Sequence, residues 1–262
     1  MMTQTMYQVD AFTTKLFGGN PAAVCPLKEW LSDELMQAIA SENNLSETAF
    51  IVKEGGYYRI RWFTPNSEVA LCGHATLASA YVIFEKLGYE GESLTFQSLS
   101  GELRVRKQGE QLQLDFPLLP YTAITPPQAL LAAMNVMPKE VYESTFDLLL
   151  IFDDEKDVEK AILDLNAISQ LQNRGVILSA PSIKFDVYSR CFYPGCNVPE
   201  DPVTGSAHCV IAPYWSERLG KKKIHALQGL KRRGELICEI KDERVLLAGS
   251  CRLYLQGDIN LA

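Results

Sequence analysis

The chain has 262 residues, enough for one large domain or two small ones, each with its own core. Its 47% hydrophobic and 22% charged residues are ordinary for a folded globular protein, and a formal net charge of −7 argues against a phosphate-backbone binder, which needs a basic footprint. Seven scattered cysteines without C-x-x-C spacing, three histidines without an H-x-x-x-H pair and no run near the roughly 20 apolar residues of a bilayer span weigh against a disulfide scaffold, a structural zinc site and a membrane helix.

In chain order, the first ten residues carry neither a basic start nor an apolar run, so no signal peptide is expected and the reducing cytoplasm fits best. Asp33 to Asn43 reads as a helix, and Ala49 to Val52 as a buried strand with Glu47 at its mouth. Tyr58 to Phe63 alternates and carries aromatics, the mark of a strand. After a proline-containing loop, His74 to Leu87 runs unbroken with Leu77, Tyr81, Phe84 and Leu87 at near-helical spacing, and Gly88 stands where a C-cap glycine belongs. A meander of strands follows over Leu94 to Phe96, Gly101 to Lys107 and Gln111 to Phe116, turning near Ser100 and Gly109. Val187 to Phe192 reads as a strand; Ser206 to Leu219 reads as a helix stopped by Gly220 and kinked by Pro213. Gly234 to Ile240 and Arg244 to Ala248 read as strands. The basic runs Lys221-Lys222-Lys223 and Lys231-Arg232-Arg233 are read as solvated ends of a helix and a hairpin.

The chain also repeats itself. Glu68, Gly73 and Ala75 match Glu200, Gly205 and Ala207 at an offset of 132, as do Glu85, Leu87 and Gly88 with Glu217, Leu219 and Gly220. Arg61, Phe63 and Pro65 match Arg190, Phe192 and Pro194 at 129, and Gly101-Glu102-Leu103 matches Gly234-Glu235-Leu236 at 133. So long a period excludes a solenoid and indicates two half-domains of similar fold. Each copy has one long apolar helix that must be covered on most sides. An α+β fold is expected, with two pseudo-symmetric half-domains whose strands wrap a central helix. The boundaries expected are 1–117, with the last strand near 251–262 as a possible addition, and 118–250.

Three clusters can carry chemistry. Glu47, where it enters the apolar strand, would lose solvation and move toward the range of a general base; the bland alternative is an exposed strand-end carboxylate. Cys72-Gly73-His74-Ala75-Thr76 and Asp201-Pro202-Val203-Thr204-Gly205-Ser206-Ala207 both open a helix, where unpaired N–H groups and the dipole favour an anion. Against that, Ser206 can be a plain N-cap and His74 a satisfied core histidine. If the halves face each other about a pseudo-twofold axis, both helix starts can serve one carboxylate. Cys72 at a helix start can be an activated thiol, but the matching position is Thr204, so a two-thiol racemase mechanism is incomplete and Cys72 reads as packing.

Val9-Asp10-Ala11-Phe12, Gly19-Asn20-Pro21-Ala22-Ala23-Val24, Asn44-Leu45-Ser46-Glu47-Thr48-Ala49-Phe50, Arg61-Trp62-Phe63-Thr64-Pro65, Cys72-Gly73-His74-Ala75-Thr76 and Glu200-Asp201-Pro202-Val203-Thr204-Gly205-Ser206-Ala207-His208 occur in order over nearly the whole chain. Together they resemble the signatures of the phenazine-biosynthesis (PhzF-like) isomerase family. The resemblance implies a diaminopimelate-epimerase-like fold and an isomerase with no cofactor and no metal, acting on a small carboxylate. It implies Glu47 as the proton-moving residue, with His74, Asp201 and Ser206 assisting the transfer and holding the substrate. Gly73 and Gly205 fall where backbone amides meet the ligand, and Asn20, Ala75 and Thr204 lie in the matching motifs as substrate-binding positions. A homodimer is also implied. One segment departs: where many members read Q-x-S-x-R-G-G, this chain reads Gln228-Gly229-Leu230-Lys231-Arg232-Arg233-Gly234. The rival readings are a cysteine-dependent epimerase or racemase on the same fold and a non-catalytic binding protein; the intact Glu47, His74, Asp201 and Ser206 speak against the second.

Overall fold

The alternating residues around Tyr58 and the unbroken apolar run after His74 fold as their periods dictate, into a strand and a helix. The computed structural model describes residues 2–261. In chain order the elements are β1 (Met2–Ala11), β2 (Asn20–Leu27), α1 (Asp33–Asn43), β3 (Glu47–Glu54), β4 (Tyr57–Phe63), β5 (Glu68–Val69), α2 (Gly73–Glu85), β6 (Ser93–Ser98), β7 (Gly101–Gln108) and β8 (Gln111–Pro117). There follow β9 (Tyr121–Ala123), α3 (Gln128–Ala132), β10 (Glu140–Ser144), β11 (Asp147–Ile151), α4 (Glu155–Lys160), α5 (Leu165–Ser169), β12 (Gly175–Pro181) and β13 (Val187–Tyr193). The last are β14 (Val198–Asp201), α6 (Gly205–Leu219), β15 (Lys223–Gln228), β16 (Gly234–Lys241), β17 (Arg244–Gly249) and β18 (Cys251–Leu261). The chain divides into two units, residues 1–115 with 248–262 and residues 116–247.

In the first unit the strands pair in the order β18–β1–β2–β3–β4–β6–β7–β8, with β2–β3 and β4–β6 parallel and the other pairs antiparallel. In the second unit the order is β9–β10–β11–β12–β13–β15–β16, with β11–β12 and β13–β15 parallel and the rest antiparallel. The six pairings of the second series have the same sense as the first six of the first, so the internal repeat in the sequence is matched by a repeat of topology. The fold is α+β.

Each unit holds one helix buried on nearly every side. Helix α2 packs on β1, β2, β3 and β18, and buries ten residues, from His74 to Ala80 and from Val82 to Phe84. Helix α6 packs on β11, β15 and β16. On the other face of the first sheet, α1 lies on β3 and β4, and Met36, Ile39 and Ala40 meet Phe50, Val52 and Phe63. With α1 on one face and α2 on the other, β3 is apolar from Ala49 through Val52 and does not alternate. The second unit uses two short helices in the place of α1: Val158 and Ile168 of α4 and α5 pack with Val176, Leu178 and Phe192. Each such fully buried side chain contributes about 1.5–3 kcal/mol.

Helix ends follow local chemistry. Ser32 caps α1 by accepting from the Leu35 amide, and Asn44 closes it at φ 48°. Gly220 closes α6 at φ 63°, and Gly88 follows α2 at φ 68°, both in the left-handed region that glycine enters freely. Within α6, Pro213 has no N–H for the Cys209 carbonyl, and the Leu119 amide takes that carbonyl at 3.0 Å. No helix among the described residues is long and apolar enough to cross a membrane.

The repeat keeps one ion pair in each unit. Arg61 donates twice to Glu68, both at 2.7 Å, tying β4 to β5. Arg190 donates twice to Glu200, both at 2.8 Å, tying β13 to β14. Arg190 also donates to the carbonyls of Val158, Glu159 and Ala161, which anchors α4.

Candidate active site

In the first unit three elements bring the expected residues together. Parallel pairing of β2 with β3 sets Ala22 beside Glu47, so Asn20 at the start of β2 and Glu47 at the start of β3 lie at the same sheet end. Helix α2 begins there with Cys72 as its N-cap, followed by Gly73 and His74. The Asn20 Nδ2 donates to His74 Nδ1 at 3.2 Å, and the Ser46 hydroxyl donates to Asn20 Oδ1 at 3.2 Å. Nδ1 accepts only while the ring is neutral; Nε2, which faces Glu47, carries a proton whether the ring is neutral or charged.

His74 Nε2 lies 3.1 Å from Glu47 Oε2. The two are at ion-pair distance but not aligned as a hydrogen bond, and both are buried with no other partner. The His74 side chain is 6% exposed and that of Glu47 16%. Burial opposes charge on His74, but the neighbouring Cys72 sulfur and Glu47 carboxylate overcome it and raise the imidazole well above its usual range. Burial pushes the Cys72 thiol up to about 11, so at neutral pH it is uncharged. Cys72 is therefore a poor base, although its sulfur sits 3.5 Å from His74 Nδ1.

Ligating atoms of Glu47, Cys72 and His74 lie within 4.8 Å of one another, a spacing a divalent ion can use. However, Cys72 and Asn20 address Nδ1 while Glu47 faces Nε2. The Asn20 bond already occupies Nδ1, so an ion would have to use Nε2 or displace that bond.

In the second unit, Thr204 Oγ1 donates to Asp201 Oδ2 at 2.5 Å. Gln228 fixes this loop: its Oε1 accepts from the Thr204 amide at 2.9 Å, and its Nε2 donates to the Asp201 carbonyl at 2.9 Å and Thr204 Oγ1 at 3.1 Å. Gly229 holds φ 96°, and a Cβ there would lie 2.2 Å from the Arg232 carbonyl and 2.7 Å from that of Pro202. In the segment that departs from the family pattern, the residue that braces Asp201 and Thr204 is thus Gln228, one of three retained positions with Arg232 and Gly234. Thr204 is the N-cap of α6 but makes no side-chain cap bond. Ser206 lies inside the helix and accepts from Arg174 at 3.1 Å, so it is not an N-cap. His208 and its counterpart Thr76 both turn back to the helix start: His208 Nδ1 donates to the Thr204 carbonyl at 2.9 Å, and Thr76 Oγ1 to that of Cys72 at 2.5 Å. Ala75 and Ala207 are fully buried at matching places.

Sequence reasoning assigned no role to Ser46, Gln228 or Arg174. Ser46 and Gln228 stood inside quoted motifs, and only the fold reveals their bonds. Arg174 stands immediately before β12 as Ser46 stands before β3, a match that needs the strand register.

A sequence model of the family described as "Phenazine biosynthesis-like protein" matches residues 9–257. The chain belongs to that family. It is 50% identical to an uncharacterized isomerase of Pseudomonas aeruginosa, over 99% of this chain and 100% of the relative. A crystal structure of a PhzF-family phenazine biosynthesis protein from Enterococcus faecalis superposes with a TM-score of 0.96 at 44% identity, covering 99% of this chain and 100% of that one. A probable proline racemase from Agrobacterium radiobacter shares the fold alone, with a TM-score of 0.64 at 10% identity over 99% and 93% of the two chains. The PhzF-like chain is thus one of a family whose relatives are named isomerases, on an epimerase-like fold.

Proposed function

We propose that this PhzF-like isomerase moves a proton on a small carboxylate substrate with Glu47 as the base, and that it needs neither metal nor redox cofactor. The observation that supports it is the buried Glu47–His74 pair, in which the two polar atoms lie 3.1 Å apart and neither hydrogen-bonds any other described residue. A substrate C–H brought to this carboxylate would meet a base oriented by His74. The Glu47 carboxylate takes a proton from a carbon next to an electron-withdrawing group, and the electron pair left behind delocalises into that group. The same carboxyl, now protonated, returns the proton to another carbon of the delocalised system. Asn20 and Ser46 fix the His74 ring so that Nε2–H faces the reacting carboxylate, preorganised for developing charge. Asp201, Ser206, Thr204 and the amides of Gly73 and Gly205 hold the substrate, as the resemblance implies.

The test is proton exchange in heavy water with small cyclic and amino carboxylates. Glu47→Gln should lose turnover by about 10³-fold or more while keeping the wild-type melting temperature, whereas Cys72→Ala should stay within about threefold. A glutamine variant as active as wild type removes the base assignment, and a dead Cys72→Ala in a folded protein transfers it to the thiol.

A further inference from the structure

The strand registers define which residues of the second unit stand where the candidate base stands in the first. Thr48 pairs with Phe63, and Val176 pairs with Phe192, the repeat partner of Phe63. Gly175 therefore corresponds to Glu47, and Arg174 to Ser46, while Ser206 corresponds to His74. No side chain fits at Gly175: a Cβ would lie 2.3 Å from the Phe192 carbonyl and 2.3 Å from the Tyr193 ring. The second unit has no base at the equivalent place, and a guanidinium stands beside it.

That guanidinium is held rigidly. Arg174 Nε donates to Asp147 Oδ1 at 2.9 Å and Nη2 to Oδ2 at 2.5 Å, and Asp147 is 1% exposed. Nη2 also donates to Ser206 Oγ at 3.1 Å. The plane rests over the Tyr193 ring at 4.9 Å and near Phe146 at 5.3 Å. The side-chain donors in use are those on Nε and Nη2. Nη1 makes no hydrogen bond to any of the described residues, and a third of the side chain is exposed. Ser206 Oγ accepts from Arg174, so its own hydrogen is directed elsewhere and has no acceptor either. Donors without acceptors, one of them cationic and fixed, are the complement of an anion with two oxygens.

We infer that Arg174 Nη1 and Ser206 Oγ bind a carboxylate of the substrate, making Arg174 the residue that selects acids over their neutral analogues. The inference rests on the proposed carboxylate substrate, and its test requires no turnover. The probes are malonate and the neutral malonamide, titrated into the ¹⁵N-labelled full chain, with the amide resonances of Gly205 and Ser206 as the readout. Malonate should shift both saturably and malonamide should not. Arg174→Lys should weaken malonate about tenfold, the effect of one charge-assisted hydrogen bond. Arg174→Gln alone leaves Asp147 buried without its cation and can fail to fold, so the paired variant Asp147→Asn with Arg174→Gln removes both charges together and should abolish the shifts. Equal shifts with malonamide, no shift with malonate in the folded wild type, or unchanged malonate affinity in Arg174→Lys or the paired variant would overturn the assignment. A failed Glu47 exchange assay leaves these shifts intact, so the two failures are read separately.

Discussion

His208 should make this protein lose stability in mild acid. The ring is fully buried in α6, its Nδ1–H bonds the Thr204 carbonyl, and its Nε2 is buried with no partner. A second proton would sit on that unpartnered nitrogen, and burial accordingly lowers the pKa from 6.5 to about 4. The unfolded chain binds the proton first, so the penalty is absent above pH 6.5 and grows as pH falls toward 4. Over roughly 2.5 pH units at 1.36 kcal/mol each, it reaches about 3 kcal/mol. The assay is urea denaturation followed by the fluorescence of buried Trp62 and Trp215, from pH 7.5 to 4, on wild type and His208→Gln. Glutamine cannot charge but retains an amide donor for Thr204. Packing losses in the variant are independent of pH, and His74 titrates in both proteins, so both effects cancel in the slope of the difference. The difference in unfolding free energy should change by about 3 kcal/mol in favour of the variant across the range. Curves that stay parallel within about 0.5 kcal/mol would refute the reasoning, because they would mean that His208 charges as readily when folded as when unfolded.

The two repeated ion pairs should differ in weight. Arg190 is nearly buried and serves three carbonyls besides Glu200, so Arg190→Met should destabilise by about 3 kcal/mol, while the more exposed Arg61→Met should lose about 1 kcal/mol by the same measurement; equal losses would contradict the burial argument. Of the seven cysteines only Cys196 is exposed, so a disulfide-exchange reagent should titrate one thiol quickly in the native protein and seven in guanidinium; a second fast thiol, above all Cys72, would show the α2 start to be open to solvent.

What could be read from the sequence was what short-range pattern controls. The breaker-free run after His74 and the run from Ser206 to Gly220, interrupted only by Pro213, gave both long helices, and the motif offsets revealed a duplication that the pairing order repeats. Asp147–Ile151 and Gly175–Pro181 escaped detection because they are buried on both faces and have no alternation to see. Helices α3, α4 and α5 are five or six residues long, too short for a 3.6-residue period to register. Glu47 and His74 were singled out separately. Their contact spans 27 positions and depends on the β2–β3 register and the α2 entry together, neither of which local pattern fixes. Arg174 lay beyond reach for the same reason: it becomes notable only once Gly175 is known to occupy the counterpart of the Glu47 position.

The ladder between β1 and β18 pairs Met2 with Leu261 and runs on to Ala11 with Cys251. On the ribosome this imposes an order of events. The segment 116–247 leaves the exit tunnel with all its partners and can fold at once, whereas the earlier-made segment must wait, its first strand lacking a neighbour, until residues 251–261 emerge. The half synthesised first is thus finished last, and the newborn chain depends on something other than β18 to shield β1 in the interval.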